Sequence, residues 1–279
     1  DLSSYVVTTT GSASQTFSAN VETTGNQTYT AAGGIVTSGA RTFDSSGGTV
    51  NFASALSGNN NVTVTGNADI DGAITDIAVL SISGTSNVGA DITSSDTQTY
   101  GDAVTLSANV TLTTTSDVVT FDSTVNSDGS TRNLTIATGG NSTEINFDGV
   151  VGGSAAVGAI TITGALDLNA PITSATSLSV SGVSNLGADV TTSGTQTYLA
   201  ATTLSGGART LEGSIIQTIT IDGGQNLTIT GNLDSNGNIG SNTPIGVFEV
   251  SGTSNFAANV LTNGTQTYSG AVTLGANIV

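Results

Sequence analysis

The sequence predicts an all-β fold, a parallel β-solenoid (β-helix) built of stacked repeats, and three observations carry that expectation. Nearly the same phrase returns four times: Asn26-Gln27-Thr28-Tyr29, Thr97-Gln98-Thr99-Tyr100, Thr195-Gln196-Thr197-Tyr198 and Thr265-Gln266-Thr267-Tyr268. Self-similarity on this scale marks a chain of stacked units. Between the phrases, apolar and polar residues alternate with period two, the pattern of half-buried strands. Clusters of Gly, Asn and Asp separate these segments, and such residues tolerate the positive φ of tight corners. No apolar segment of helical length carries a 3.6-residue period.

The phrases divide one elongated unit into intervals at about residues 12–82, 83–180, 181–250 and 251–279, the last a partial copy. Their glutamines stand 71, 98 and 70 residues apart. Residues 66–100 align without a gap on 164–198, with 19 identities in 35 positions. In the first interval Arg41-Thr42-Phe43 and Asn61-Val62-Thr63-Val64-Thr65-Gly66 match Arg209-Thr210-Leu211 and Asn226-Leu227-Thr228-Ile229-Thr230-Gly231 of the third. The second interval is longer because one unit is duplicated. Phe121-Asp122-Ser123 before Leu134-Thr135-Ile136 resembles Phe147-Asp148-Gly149 before Ile160-Thr161-Ile162. A solenoid tolerates an added unit because each coil touches only its neighbours; a string of small β-sandwiches is the rival architecture.

Strands are expected at Val62-Thr63-Val64-Thr65, Leu134-Thr135-Ile136, Ile160-Thr161-Ile162-Thr163, Leu178-Ser179-Val180-Ser181 and Thr218-Ile219-Thr220-Ile221. Turns are expected at Ser46-Gly47-Gly48, Gly58-Asn59-Asn60, Ser127-Asp128-Gly129 and Asp222-Gly223-Gly224. Val62, Val64, Leu134, Ile136, Ile160, Ile162, Leu227 and Ile229 are the expected core, pointing inward and stacking as ladders. At roughly 20–25 residues per coil, about 12 coils rising about 4.8 Å each give a rod on the order of 55–60 Å long.

Composition narrows function. The formal net charge is −17, from 16 Asp and 4 Glu against 3 Arg, with no Lys and no His. Such a chain repels phosphate backbones and anionic headgroups, so neither nucleic acid nor membrane insertion is expected. Cys is absent, which excludes disulfides, thiolate nucleophiles and Cys-ligated metals. No apolar run approaches the length of a membrane span. The chain opens at Asp1 without Met or a cationic, apolar leader, and reads as a processed form or an excised piece.

The stretch Gly264-Thr265-Gln266-Thr267-Tyr268-Ser269-Gly270-Ala271-Val272-Thr273-Leu274 resembles the repeats of very large bacterial surface proteins, the filamentous-haemagglutinin-like adhesins. Similar wording occurs at residues 97–106 and, more loosely, at 195–204. The resemblance implies a right-handed β-helix, an extracellular or cell-surface location on a prokaryote, and the role of rod, adhesin shaft or filament subunit. It transfers no catalytic residue.

Each remaining motif has a chemical and a plain structural reading. The Thr-Gln-Thr-Tyr phrases present Thr-x-Thr, which on successive coils would order water as ice-binding solenoids do; a recurrence every 70 residues reads instead as a structural corner. Tyr29, Tyr100, Tyr198 and Tyr268 read as sugar-stacking platforms or as an internal aromatic stack, at equivalent positions near corners. Asp234, Asn236 and Asn238 resemble the start of a calcium loop but lack the distal bidentate Glu; Asp69, Asp71 and Asp128 are weaker candidates. Catalysis is not expected, since Glu22, Glu144, Glu212 and Glu249 are dispersed and no His is present. The seven Asn-x-Ser/Thr sequons match chance for this composition. The expected partner is a second copy joined head to tail through the terminal coils, with a glycan or surface ligand as the alternative. Asn277-Ile278-Val279 joined to Asp1 through Thr8 reads much like residues 109–120.

Overall fold

Three-residue strands set the geometry. In Ser86–Val88, Ile92–Ser94, Gln98–Tyr100 and Val104–Leu106 the first and third residues are buried and the middle one faces outward. The side-chain period of two dictates this, because three extended residues place two side chains on one face and one on the other. Three-residue corners such as Gly89-Ala90-Asp91 turn the chain before the next strand begins. Three strands and three corners close one coil. Asn87 therefore sits directly over Asp69, 18 residues earlier.

The computed structural model describes residues 7–115, 117–140, 143–275 and 278. Among these the chain winds as an all-β parallel solenoid of about 14 coils. The first coil consists of Val7–Thr9, Gln15–Phe17 and Val21–Thr23, which define a first, second and third face. Each pairs in parallel with the strand one coil later: Val7 with Gln27, Gln15 with Ile35, Val21 with Phe43. The same order continues to Gln266–Tyr268 on the first face and Val272–Leu274 on the second. Coils as short as 18 residues explain why there are more than the 12 expected from longer ones; the rod is on the order of 65 Å long.

The core is a triangular column inside the three faces. All eight expected core residues, from Val62 to Ile229, are inside it and at most 1% exposed. On the third face Phe43, Val64, Ile82, Tyr100, Phe121 and Phe147 stand one above another. Stacking equal side chains at the coil spacing lets rings lie parallel: Tyr100–Phe121 and Phe121–Phe147 centroids are each 5.1 Å apart, at 11° and 5°. Nearer the first coils Phe17, Tyr29, Phe43 and Phe52 meet mostly edge to face.

Corners break the backbone ladder, and side-chain carbonyls repair it. Asn26 Oδ1 accepts the Thr49 N–H at 3.0 Å, Asn109 that of Asn133 at 2.9 Å, Asn133 that of Ala159 at 2.9 Å, and Asn226 that of Val247 at 2.8 Å. These four are sequon asparagines, so their recurrence has a backbone-pairing cause. Arg41 and Arg209 serve corners in the same way. The Nε–H of Arg41 donates to Phe17 O and that of Arg209 to Leu186 O, each one coil down.

Candidate functional site

The recurring phrase builds the same local object each time. Gln98 is fully buried; its Nε2 donates to Ser94 Oγ at 3.1 Å and to Thr113 O at 2.9 Å, and its Oε1 accepts the Tyr100 hydroxyl at 3.1 Å. Gln196 and Tyr198 repeat the arrangement with Thr192 and Glu212, and Gln27 and Tyr29 with Thr23 and Asp44. At the last coil Gln266 and Tyr268 repeat it with Thr262, now exposed to solvent. An amide that satisfies a phenol and an adjacent carbonyl allows large polar side chains inside the column.

Tyr29, Tyr100 and Tyr198 are therefore internal, each at most 1% exposed, and offer no platform to a sugar. Burial raises their phenol pKa, and Tyr268, half-buried, is pushed up to about 12. The tyrosines do not share one position on the coil, contrary to the sequence expectation. Tyr29 and Tyr268 belong to the first face, Tyr100 to the third and Tyr198 to the second. An interval of 70 or 71 residues covers three coils and two further faces, so each phrase steps back by one face. The 98-residue interval contains one coil more and makes the same step. The phrases are true repeats, and their phase rotates around the rod.

The acidic candidates lie on this rotating pattern. Asp69 faces outward on the first face with Asn51 below and Asn87 above; its carboxylate accepts from their amides at 2.6 and 2.8 Å. Asp167 on the third face accepts from Asn185 at 2.7 Å, and Asp234 on the second from Asn255 at 2.8 Å. Alternating Asp with Asn keeps like charges off adjacent rungs. Of the calcium candidates, Asp234 lies on a strand and Asn236 and Asn238 on the corner after it. Asn238 Oδ1 accepts the Asn259 N–H at 3.1 Å, so two of the three are engaged by the next coil. Asp71 accepts from Asn51, and Asp128 pairs with Arg132 at 2.8 Å, which holds the Asp128 carboxyl at about 2. Among the described residues no group of three or more Asp or Glu is gathered as a metal centre would need.

Two other features were hidden in the sequence. On the second face the outward residues Thr111, Thr135, Thr161, Ser179 and Thr197 stand in unbroken register on five successive coils. Beside them runs a second row, Thr93, Thr113, Ala137 and Thr163. At the last coil Phe256, Val260, Tyr268, Val272, Leu274 and Ile278 line an apolar recess, with Val272 44% and Leu274 59% exposed. No family model, no curated protein and no solved structure matches the chain.

Proposed function

We propose that this chain is a non-enzymatic structural protein, the β-solenoid rod of a prokaryotic cell-surface adhesin or a filament subunit, whose partner is a second copy stacked head to tail. The observation that carries the reading is the unbroken parallel stack of about 14 coils, with an apolar recess on its last described coil. Val272 and Leu274 stand over Ser254 and Phe256, which are each 2% exposed, so a coil laid over Val272 and Leu274 would bury them in the same way. Unpaired strand edges recruit further strands, and a contact between unlike ends propagates as an open fibre. The repeat wording shared with haemagglutinin-like adhesins supports the extracellular role. The dispersal of Glu22, Glu144, Glu212 and Glu249 over separate coils supports the absence of a catalytic centre.

Sedimentation velocity over a wide concentration range tests the stacking. Species that lengthen with concentration are expected, and Leu274→Asp, which places a charge in the recess, is expected to abolish them without loss of the β circular dichroism signal. A chain that remains monomeric at the highest concentration overturns head-to-tail assembly. Binding to an external surface, the alternative reading, is favoured by one observation, the uncharged Thr/Ser rows of the second face.

A further inference from the structure

We propose that Asn236 is a modification site: the Asn236-Gly237 corner deamidates spontaneously, with water as the only co-reactant, and so acquires a carboxylate. Asn-Gly occurs twice in the chain, at Asn236-Gly237 and Asn263-Gly264. A glycine after asparagine leaves no Cβ to hinder its own backbone nitrogen, and its backbone reaches conformations that other residues avoid. Both asparagines are exposed, and both sit in the same local turn: Ser235 Oγ donates to Gly237 O at 3.0 Å, and Thr262 Oγ1 to Gly264 O at 2.9 Å. Motif and turn alone would make the two equally reactive.

The backbone ladder separates them. The Gly264 N–H donates to Gly246 O at 2.9 Å, one coil down, and attack through that nitrogen requires the bond to break first. Among the described residues the Gly237 N–H has no acceptor, while the Asn236 N–H beside it is anchored to Thr218 O at 2.9 Å. The other copies of this corner sharpen the contrast. Asp71-Gly72 and Asn169-Ala170 stand at the same place in the repeat, and there the N–H of the second residue is engaged. Gly72 donates to Phe52 O at 2.8 Å and Ala170 to Phe147 O at 3.1 Å. Of the three copies, the last combines an asparagine, a glycine and an unengaged backbone N–H. The fold also accepts the product: Asp71 already places a carboxylate at this corner, where it accepts from Asn51 at 3.1 Å. A Cβ on Gly237 would run into Ile219 O, so close packing retains the glycine that makes the corner reactive.

The chemistry balances without an oxidant or reductant. The Gly237 nitrogen bonds to Cγ of Asn236, the Cγ–Nδ2 bond breaks, and ammonia leaves carrying the proton that the glycine nitrogen gave up. A cyclic succinimide remains. Water then adds to one of its carbonyl carbons, the bond from that carbon to nitrogen breaks, and the nitrogen regains a proton. Addition at Cγ gives aspartate. Addition at the Asn236 backbone carbonyl gives isoaspartate, with the main chain now passing through Cγ. Either product replaces a neutral amide by a carboxylate beside Asp234.

The test incubates the whole chain at mildly alkaline pH, digests it, and follows both Asn-Gly peptides by tandem mass spectrometry. Enzymatic methylation of isoaspartate is the second readout. In the folded chain Asn236 is expected to gain about 1 Da roughly tenfold faster than Asn263, because the ladder bond of Gly264 must open before it reacts. In concentrated urea, where the ladder is gone, the two are expected to react at similar rates. Asn236→Gln, checked for folding by circular dichroism, is expected to lose the fast phase and leave the Asn263 rate unchanged. An Asn236 that remains an amide in the folded chain overturns the proposal. So does an Asn263 that reacts as fast in the folded chain, or a rate difference that persists in urea and so belongs to the neighbouring residues rather than to the coil. The inference does not depend on head-to-tail stacking.

Discussion

Gln98 and Tyr100 bring polar atoms into an apolar column and satisfy each other there. Removing the hydroxyl in Tyr100→Phe leaves Gln98 Oε1 buried without its donor, at a cost of about 1–3 kcal/mol measured by denaturant unfolding. Tyr268→Phe, where the same bond is exposed to water, is expected to cost much less. Burial raises the folded-state pKa of Tyr100 and Tyr198, so the fold favours the neutral phenol. That contribution is complete below the ordinary tyrosine pKa of about 10 and is lost as pH rises above it. Tyrosinate absorbance from these two is expected only as the strand signal disappears; ionisation near pH 10 in an intact fold would show that they are solvated. The phrase itself was legible in the sequence. Its role was not, because the Gln98 partner Thr113 and the Gln196 partner Glu212 lie on the following coil, at a separation that no local pattern fixes.

At the scale of the strand and coil, the inward ladders follow from period-two alternation, and the sequence assigned them correctly. The number of residues per coil was not legible, since strands and corners of three residues each can be grouped in more than one way. The repeated phrase therefore predicts one face for the tyrosines, and they occupy three. Gly231 marks a corner where the backbone approaches closely: its φ is +135°, and a Cβ there would lie 1.8 Å from Gly213 O. Gly231→Ala is expected to cost several kcal/mol, whereas Gly207→Ala, at φ +144° with open space, carries the conformational penalty alone. Thermal unfolding of the pair separates the clash from the strain. The duplicated unit gives a further expectation. Deleting residues 122–147 removes one whole coil and lets Asp148 take the place of Asp122, whose N–H donates to Tyr100 O. The shortened chain is expected to fold with an unchanged circular dichroism shape and a slightly lower melting temperature. Deleting only residues 122–134 shifts every later strand to the wrong face and is expected to abolish cooperative unfolding.

For the whole molecule, the column, the corner repairs and the outward polar rows make a stiff rod whose three faces differ. The acidic rungs and the neutral Thr/Ser rows both move from face to face along the rod: Thr42, Thr63, Ser81, Thr99 and Thr120 stand in register on the third face, and Thr111, Thr135, Thr161, Ser179 and Thr197 on the second, which also carries Asp234. Sequence comparison within the chain finds the first pattern because it is written in repeated words. It misses the second because Thr111, Thr135, Thr161 and Ser179 share a column only after the chain is wound. Negative-stain electron microscopy of the purified chain at increasing concentration shows whether the rods extend by stacking end to end, as proposed. Particles of uniform width are expected, with lengths at multiples of about 65 Å and longer ones more frequent as concentration rises. Particles of a single fixed length at every concentration would contradict the stacking, and rounded particles would contradict the rod.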